Sequence, residues 1–289
     1  MGTSKSNTYF LLPDSLQHAM LLLCLLMISI PALAHKDEVK HLELGIFPHL
    51  SKKHLQRAYT PIALKLSKVI GQNVHFDVED NLDNFHEKLE AQEYDIVMLQ
   101  PFDYVEVADE KKYQPLVAQN RPLKAIFAVK EGSHLQKTHN LLGRDLYFPP
   151  RSTAVSYLAR YHLKHSGIDL ENDLNTIHER THVTCLQKVI IGLADACATA
   201  EPAVVFIEEK IGIKMRSIGE SLSIPHTLFA VKSTMNSETK SKLLKEILSW
   251  ALDNEHKDLL NNARLKGFKA IKDSDYDIVR TIKEEVDNF

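Results

Sequence analysis

Two hydroxyl residues, Ser152 and Thr153, stand where a short apolar run, Asp145-Leu-Tyr-Phe148, hands over to a helical pattern. That pattern places Val155, Leu158, Ala159, His162 and Leu163 along one helix face. The first turn of a helix carries backbone N–H groups without intrahelical acceptors and the positive end of the helix dipole. Hydroxyls at 152 and 153, added to these N–H groups, form a ready pocket for an anion. The same residue types also serve as ordinary N-caps, so capping and anion binding both stand as readings here. Gln100 and Gln119 lie at the carboxyl ends of apolar runs, where open α/β sheets bind ligands. His182 opens another helical pattern, either as a cap or as a hydrogen-bond donor. Tyr104 is either a core ring or a hydroxyl aimed at a ligand. Asp95 and Asp195 begin buried strands and read as structural caps, while Arg121 and Lys124 read as solvated charges able to draw an anion inward.

Catalysis finds little footing in these residues. A nucleophile with a base is offered only by Ser152 or Cys185 with His182, without a Gly-x-Ser-x-Gly elbow or an orienting acid, so no enzyme is expected. Fifteen histidines are scattered without a His-Glu-x-x-His or Cys-x-x-Cys arrangement, so no metal site and no cofactor is expected. The chain has 289 residues, 44% hydrophobic and 25% charged, with a net charge of -3; this suits a globular protein and argues against a nucleic-acid binder.

The N-terminus reads as an export signal. The apolar run from Ala19 to Ile30 is short for a membrane span, and Pro31-Ala-Leu-Ala34 carries small residues at the spacing a signal peptidase reads. Cleavage after Ala34 and a periplasmic mature protein are expected, with an uncleaved anchor as the alternative. Cys24 lies within the run and lacks the small flanking residues of a lipoprotein signal. The mature chain keeps Cys185 and Cys197; an oxidising compartment permits their disulfide, but both fall on apolar faces and are expected as buried free thiols.

The elements that must position these groups follow from periodicity. Strands are expected at 41–47, 74–78, 94–99, 114–118 and 124–129, with helices at 53–70, 81–91 and 102–111. The pattern then restarts, with strands at 146–148, 175–178, 195–199, 214–218 and 226–231. Helices are expected at 153–166, 183–192 and 204–210, then at 237–251 and 273–285. Two rounds of alternation imply two α/β lobes with largely parallel sheets. If Ala125–Val129 and Leu228–Val231 lie side by side, the middle block is an inserted lobe. The organisation expected is a signal peptide over 1–34, lobe one over 35–131 and 223–289, and lobe two over 132–222, hinged to close on a ligand.

Four segments, in order, resemble the PhnD-like phosphate/phosphite/phosphonate-binding receptors of ABC transporters. They are Tyr59-Thr-Pro61, Tyr94-Asp-Ile-Val-Met-Leu-Gln-Pro-Phe-Asp-Tyr104, Ser152-Thr-Ala154, and His182 followed by a helix and Gly192-Leu-Ala-Asp195. The resemblance implies a two-lobed type II periplasmic-binding fold with its cleft between two mainly parallel sheets. It implies capture of a small phosphorus oxyanion by a monomer for an inner-membrane permease, with a sensor acting on a membrane partner as the alternative. It further implies that Tyr104 reaches the ligand from lobe one, that Ser152, Thr153 and Ala154 clamp the phosphoryl oxygens from lobe two, and that His182 donates to the same group, with or without a charge. There are departures: Ala154 replaces a third hydroxyl, and the acid expected to meet a ligand amine is missing or displaced to Glu201. His49 faces the cleft in this scheme, and Gln100 is a further ligand group.

Overall fold

A computed structural model describes residues 41–252 and 256–288. The export signal expected over 1–34 lies outside the described residues. From His41 onward the chain forms one compact unit. No helix among the described residues is long and apolar enough to cross a membrane.

The first sheet has the order β11-β4-β10-β3-β1-β2. Its strands are β1 (Leu42–Ile46), β2 (Val74–Phe76), β3 (Ile96–Leu99), β4 (Tyr113–Gln119), β10 (Leu228–Lys232) and β11 (Phe268–Ala270). β1 pairs parallel with β2 and β3, whereas β10 runs antiparallel to β3 and β4, and β11 antiparallel to β4. The second sheet has the order β7-β6-β8-β5-β9, from β5 (Ile126–Lys130), β6 (Asp145–Phe148), β7 (Asn175–His178), β8 (Ala196–Thr199) and β9 (Met215–Glu220). Here β6 pairs parallel with β7 and β8, and β5 antiparallel with β8 and β9. Both sheets are therefore mixed rather than largely parallel, because each receives strands from a chain that enters and leaves it.

Those entering strands correct a second expectation. Ala125–Val129 and Leu228–Val231 do not lie side by side; the first contributes β5 of the second sheet and the second contributes β10 of the first. The chain crosses earlier, where Leu123 and Ile224 form an antiparallel bridge. Residues 126–130, assigned from the sequence to lobe one, thus sit in the second sheet.

The helices follow the periodicity closely. They are α1 (Lys52–Ile70), α2 (Leu82–Glu90), α3 (Pro101–Asp109), α4 (Ala154–His165), α5 (His182–Ile190), α6 (Glu201–Ile211), α7 (Ser237–Ser249), α8 (Lys257–Asn262) and α9 (Asp277–Asp287). α1 buries Leu55, Tyr59, Ile62 and Leu66, a stripe that repeats about once per turn. Gly45 lets β1 approach the next layer, since a Cβ there would sit 2.5 Å from the Tyr94 ring. α9 packs against both α3 and α4, so the C-terminal helix touches elements flanking each sheet.

The two halves share a strand-start device. Asp95 accepts from the Glu43 N–H at 2.9 Å, and Asp195 accepts from the Asp145 N–H at 3.0 Å. Each carboxylate, placed just before β3 or β8, ties its strand to the parallel neighbour. Asp95 is also 3.1 Å from the Lys232 ammonium. Both acids are structural, as expected.

Cys185 and Cys197 form a disulfide, which overturns the free-thiol expectation. The first turn of α5 packs directly on β8, and that contact brings two apolar-face cysteines within bonding reach. A crosslink closing a loop of this length stabilises a domain by roughly 3 kcal/mol, mainly by restricting the unfolded chain. The double variant Cys185→Ala/Cys197→Ala is therefore expected to lower the urea-unfolding free energy by about that amount. An unchanged midpoint in non-reducing buffer would remove the bond's structural role.

Candidate functional site

β1, β3 and β4 run in one direction, so their carboxyl ends share one edge of the first sheet, beside the start of the antiparallel β10. β6 and β8 likewise end together in the second sheet. The Leu123–Ile224 bridge emerges from these same edges and joins the sheets there. The groups that leave these strand ends form the candidate site.

Gln100 follows β3 and is the N-cap of α3, with Pro101 in the first turn. Its side-chain Oε1 accepts from the Ala154 N–H at 3.3 Å, across the gap between the two sheets. Its Nε2 lies 3.5 Å from Asp103 Oδ2. Gln100 and Asp103 are both buried. The carboxamide thus occupies a backbone donor at the start of α4, the position proposed from the sequence for an oxyanion. His86 Nε2 lies 3.4 Å from the other Asp103 oxygen, and that carboxylate raises the imidazole's pKa.

Thr153 is the N-cap of α4. Its hydroxyl accepts from the Ser156 N–H at 3.4 Å and lies 2.9 Å from the Pro150 carbonyl, to which it donates. Its own N–H donates to Pro150 at 3.0 Å. Both donors of Thr153 therefore serve the turn, and the first amide of α4, that of buried Ala154, is the one that Gln100 occupies. Ser152 is exposed and lines a shallow surface groove with Tyr157, Arg160 and Asp287 rather than the strand-end cluster. The sequence pairs Ser152 with Thr153, whereas the turn aims the two residues at different neighbours.

His182 opens α5, and its Nδ1 lies 2.9 Å from the Thr199 hydroxyl at the carboxyl end of β8. Burial lowers its pKa to about 4, so the ring is neutral at pH 7 and brings hydrogen bonds without a charge. His49 follows β1 and hydrogen-bonds the Phe47 carbonyl through Nδ1 at 2.9 Å. Solvent reaches His49, yet surrounding protein desolvates the imidazole and lowers its pKa to about 4, with Arg264 adding to the effect. Glu201, the first residue of α6, is exposed and has no hydrogen-bond or ion-pair partner among the described residues.

Tyr104 departs from the expected role. Its side chain is fully buried, its hydroxyl donates to Asp273 at 2.6 Å, and its ring packs on Tyr276 with centroids 4.8 Å apart. Asp273 is also held by Arg280 at 2.9 Å. The hydroxyl is committed to fastening α3 to the C-terminal segment, so Tyr104 does not present it to the strand-end gap.

Three further groups join the site that linear reading passed over or placed elsewhere. His226, before β10, accepts the Thr227 N–H at Nδ1 (2.8 Å) and sits 3.0 Å from Gln119 Nε2. Gln119 is almost fully buried, and its Oε1 has no partner among the described residues. Arg121 is half-buried, and its Nε is buried without a partner among the described residues. Lys124 is the one that stays outside, paired with Glu220 at 2.5 Å. Arg264 stands in a left-handed backbone conformation (φ 56°) with its guanidinium 5.4 Å from the centre of the Phe206 ring on α6. No sequence signal marks Arg264, because its position depends on a turn after α8 and on a ring beside the other sheet. The cluster thus offers backbone amides, a carboxamide, neutral imidazoles and guanidinium groups. Among the described residues it brings together no three metal-ligating side chains.

Residues 44–276 match the model of the ABC-transporter phosphonate periplasmic substrate-binding protein family. The chain belongs to that family. It is a substrate-binding transport component rather than an enzyme. Solved structures agree on the fold. A binding-protein component of a phosphonate ABC transporter from Pseudomonas aeruginosa superposes with a TM-score of 0.71 at 14% identity, covering 86% of this chain and 87% of that one. PhnD1 from Prochlorococcus marinus, in complex with methylphosphonate, gives 0.73 at 15% identity, covering 86% and 99%. A Xanthomonas citri protein bound to ATP gives 0.70 at 14% identity, covering 86% and 97%. The expected type II fold is the one these proteins share.

The three neutral histidines set a pH dependence. His49, His182 and His226 all have pKa values lowered from 6.5 to about 4, chiefly by burial. Unfolded chains take up protons on these rings near pH 6.5, whereas the folded protein does so only near pH 4. The stability they contribute is present above 6.5 and lost as pH falls toward 4. His86, whose pKa Asp103 raises, works in the opposite direction. The melting temperature is expected to fall between pH 6.5 and 4.5, with a shallower slope in His182→Gln. A slope identical to that of the parent would exclude a buried neutral imidazole at 182.

Proposed function

We propose that the protein captures a small phosphorus oxyanion, of the phosphonate class, in the gap between the two strand-end edges and passes it to an inner-membrane permease. The observation that carries this reading is the amide at the start of α4, which already holds an oxygen acceptor, Gln100 Oε1. A phosphonate oxygen suits the same donor better, because it carries charge and the helix dipole favours it. Arg121 and Arg264 would supply the positive charge that the neutral histidines lack. His182, through the nitrogen not facing Thr199, would contribute a further hydrogen bond. The disulfide fits an oxidising compartment, which supports export to the periplasm and removal of residues 1–34. The family favours transport over the sensor alternative.

In this reading the two sheets with their helices are lobes that close on the ligand, the first built from residues before Leu123 and after Ile224. Gln100 then competes with the ligand for the Ala154 amide, and the nearby Asp103 carboxylate disfavours an incoming anion. The protein works as a monomer in which each lobe contributes part of the shell.

Calorimetric titration with methylphosphonate, 2-aminoethylphosphonate, phosphate and sulfate tests the assignment. Saturable binding to a phosphorus oxyanion is expected; no binding to any of the four would overturn it. Gln100→Ala is expected to tighten that binding about fivefold, the equivalent of one net hydrogen bond of roughly 1 kcal/mol. Weaker binding in that variant would make Gln100 a ligand contact rather than a competitor.

A further inference from the structure

The outer edge of the first sheet carries a second set of chemically active groups, at the opposite end of β1 from His49. His41 immediately precedes β1, and Glu43 lies two residues on, so extended backbone puts both on one face of the strand. His75 is the register partner of Glu43 on the edge strand β2. The Glu43 carboxylate sits between the two rings: Oε1 is 2.8 Å from His41 Nε2, and Oε2 is 2.9 Å from His75 Nδ1. The rings themselves meet edge to face with centroids 5.6 Å apart. One ligating atom from each of the three lies within 4.8 Å of the others.

We propose that His41, Glu43 and His75 form a binding site for a divalent transition metal, Zn2+ in the first instance. Two imidazoles and one carboxylate are a donor set of borderline softness, suited to Zn2+ and poorly suited to Mg2+ or Ca2+. Metal–ligand bonds of about 2.0–2.2 Å place tetrahedral donor atoms roughly 3.3 Å apart. Each ring nitrogen lies within 2.9 Å of a carboxylate oxygen and the three ligand atoms lie within 4.8 Å of one another, so the side chains would draw in around the ion. The side chains stay partly open to solvent, with 48%, 34% and 53% of their surface exposed for His41, Glu43 and His75, leaving the fourth position for water. The backbone beneath is rigid where it matters, because the Glu43 N–H is bound by Asp95 and its strand is paired on both sides.

The metal would have a structural role. β2 is three residues long and pairs only with β1, so the sheet's margin rests on a short ladder. Cross-strand ligation would clip β2 to the start of β1 without touching the oxyanion site.

Titration of tag-free protein with Zn2+ by calorimetry, and with Co2+ by visible absorption, tests the site. The expected result is one metal per chain, a rise in melting temperature on saturation, and at least tenfold weaker binding in both His75→Ala and Glu43→Gln. These side chains are partly exposed, so metal-free variants should keep the parent's melting temperature, and this is measured alongside. Stoichiometric Zn2+ binding that survives in His41→Ala/His75→Ala would overturn the assignment, as would the absence of metal binding by the parent protein.

Discussion

The double crossing of the chain between the sheets is the constraint on which the rest of the structure depends. The antiparallel bridge of Leu123 with Ile224 holds the two crossings together. Each crossing delivers a strand that must run against its new neighbours, and this makes both sheets mixed. It also brings the carboxyl ends of β1, β3, β4, β6 and β8 toward one gap. The helices that follow these strands begin there, so their unpaired N-terminal amides converge on the same space. The Gln100–Ala154 hydrogen bond is one direct consequence. A ligand site at the strand ends is thus built into the connectivity before any particular side chain is chosen.

Within that frame, burial decides what each polar residue can do. Three imidazoles are too desolvated to carry a proton at pH 7, so they bring hydrogen bonds without charge. Asp95 and Asp195 illustrate the opposite outcome. Their carboxylates are absorbed by backbone amides of the neighbouring strand and have no part in the site. The same residue type therefore locks a strand in two places, while Asp103 stands between the Gln100 carboxamide and the His86 ring.

Much of the site was legible in the sequence because it is local. Thr153 and Ala154 follow a strand and open a helix; the cap expected there is found, while the amide of Ala154 is taken by the Gln100 carboxamide. His182 at the start of α5 and Gln100 after β3 were placed by the same reasoning. Tyr104 and Ser152 show where it stops. A tyrosine on a helix has no sequence signal saying which partner its hydroxyl will meet, and here the partner is Asp273, distant in the chain. Ser152 and Thr153 are adjacent, yet a tight turn sends them to different surroundings. Arg264 and His226 carried no signal, since each becomes relevant only through contacts made across long separations.

The sequence by itself determined the alternation of strands and helices, the helix starts and the family, because periodicity, capping and short motifs are encoded within a turn or two of chain. It did not reveal α8 or β11, whose short spans carry too few periodic positions. Tertiary structure alone decided that β5 joins the second sheet, that Cys185 reaches Cys197, that Gln100 meets Ala154, and that His41, Glu43 and His75 gather at one edge. Each of these depends on which segments pack together after long loops close. That choice is set by the summed burial of the whole chain rather than by any local run of residues.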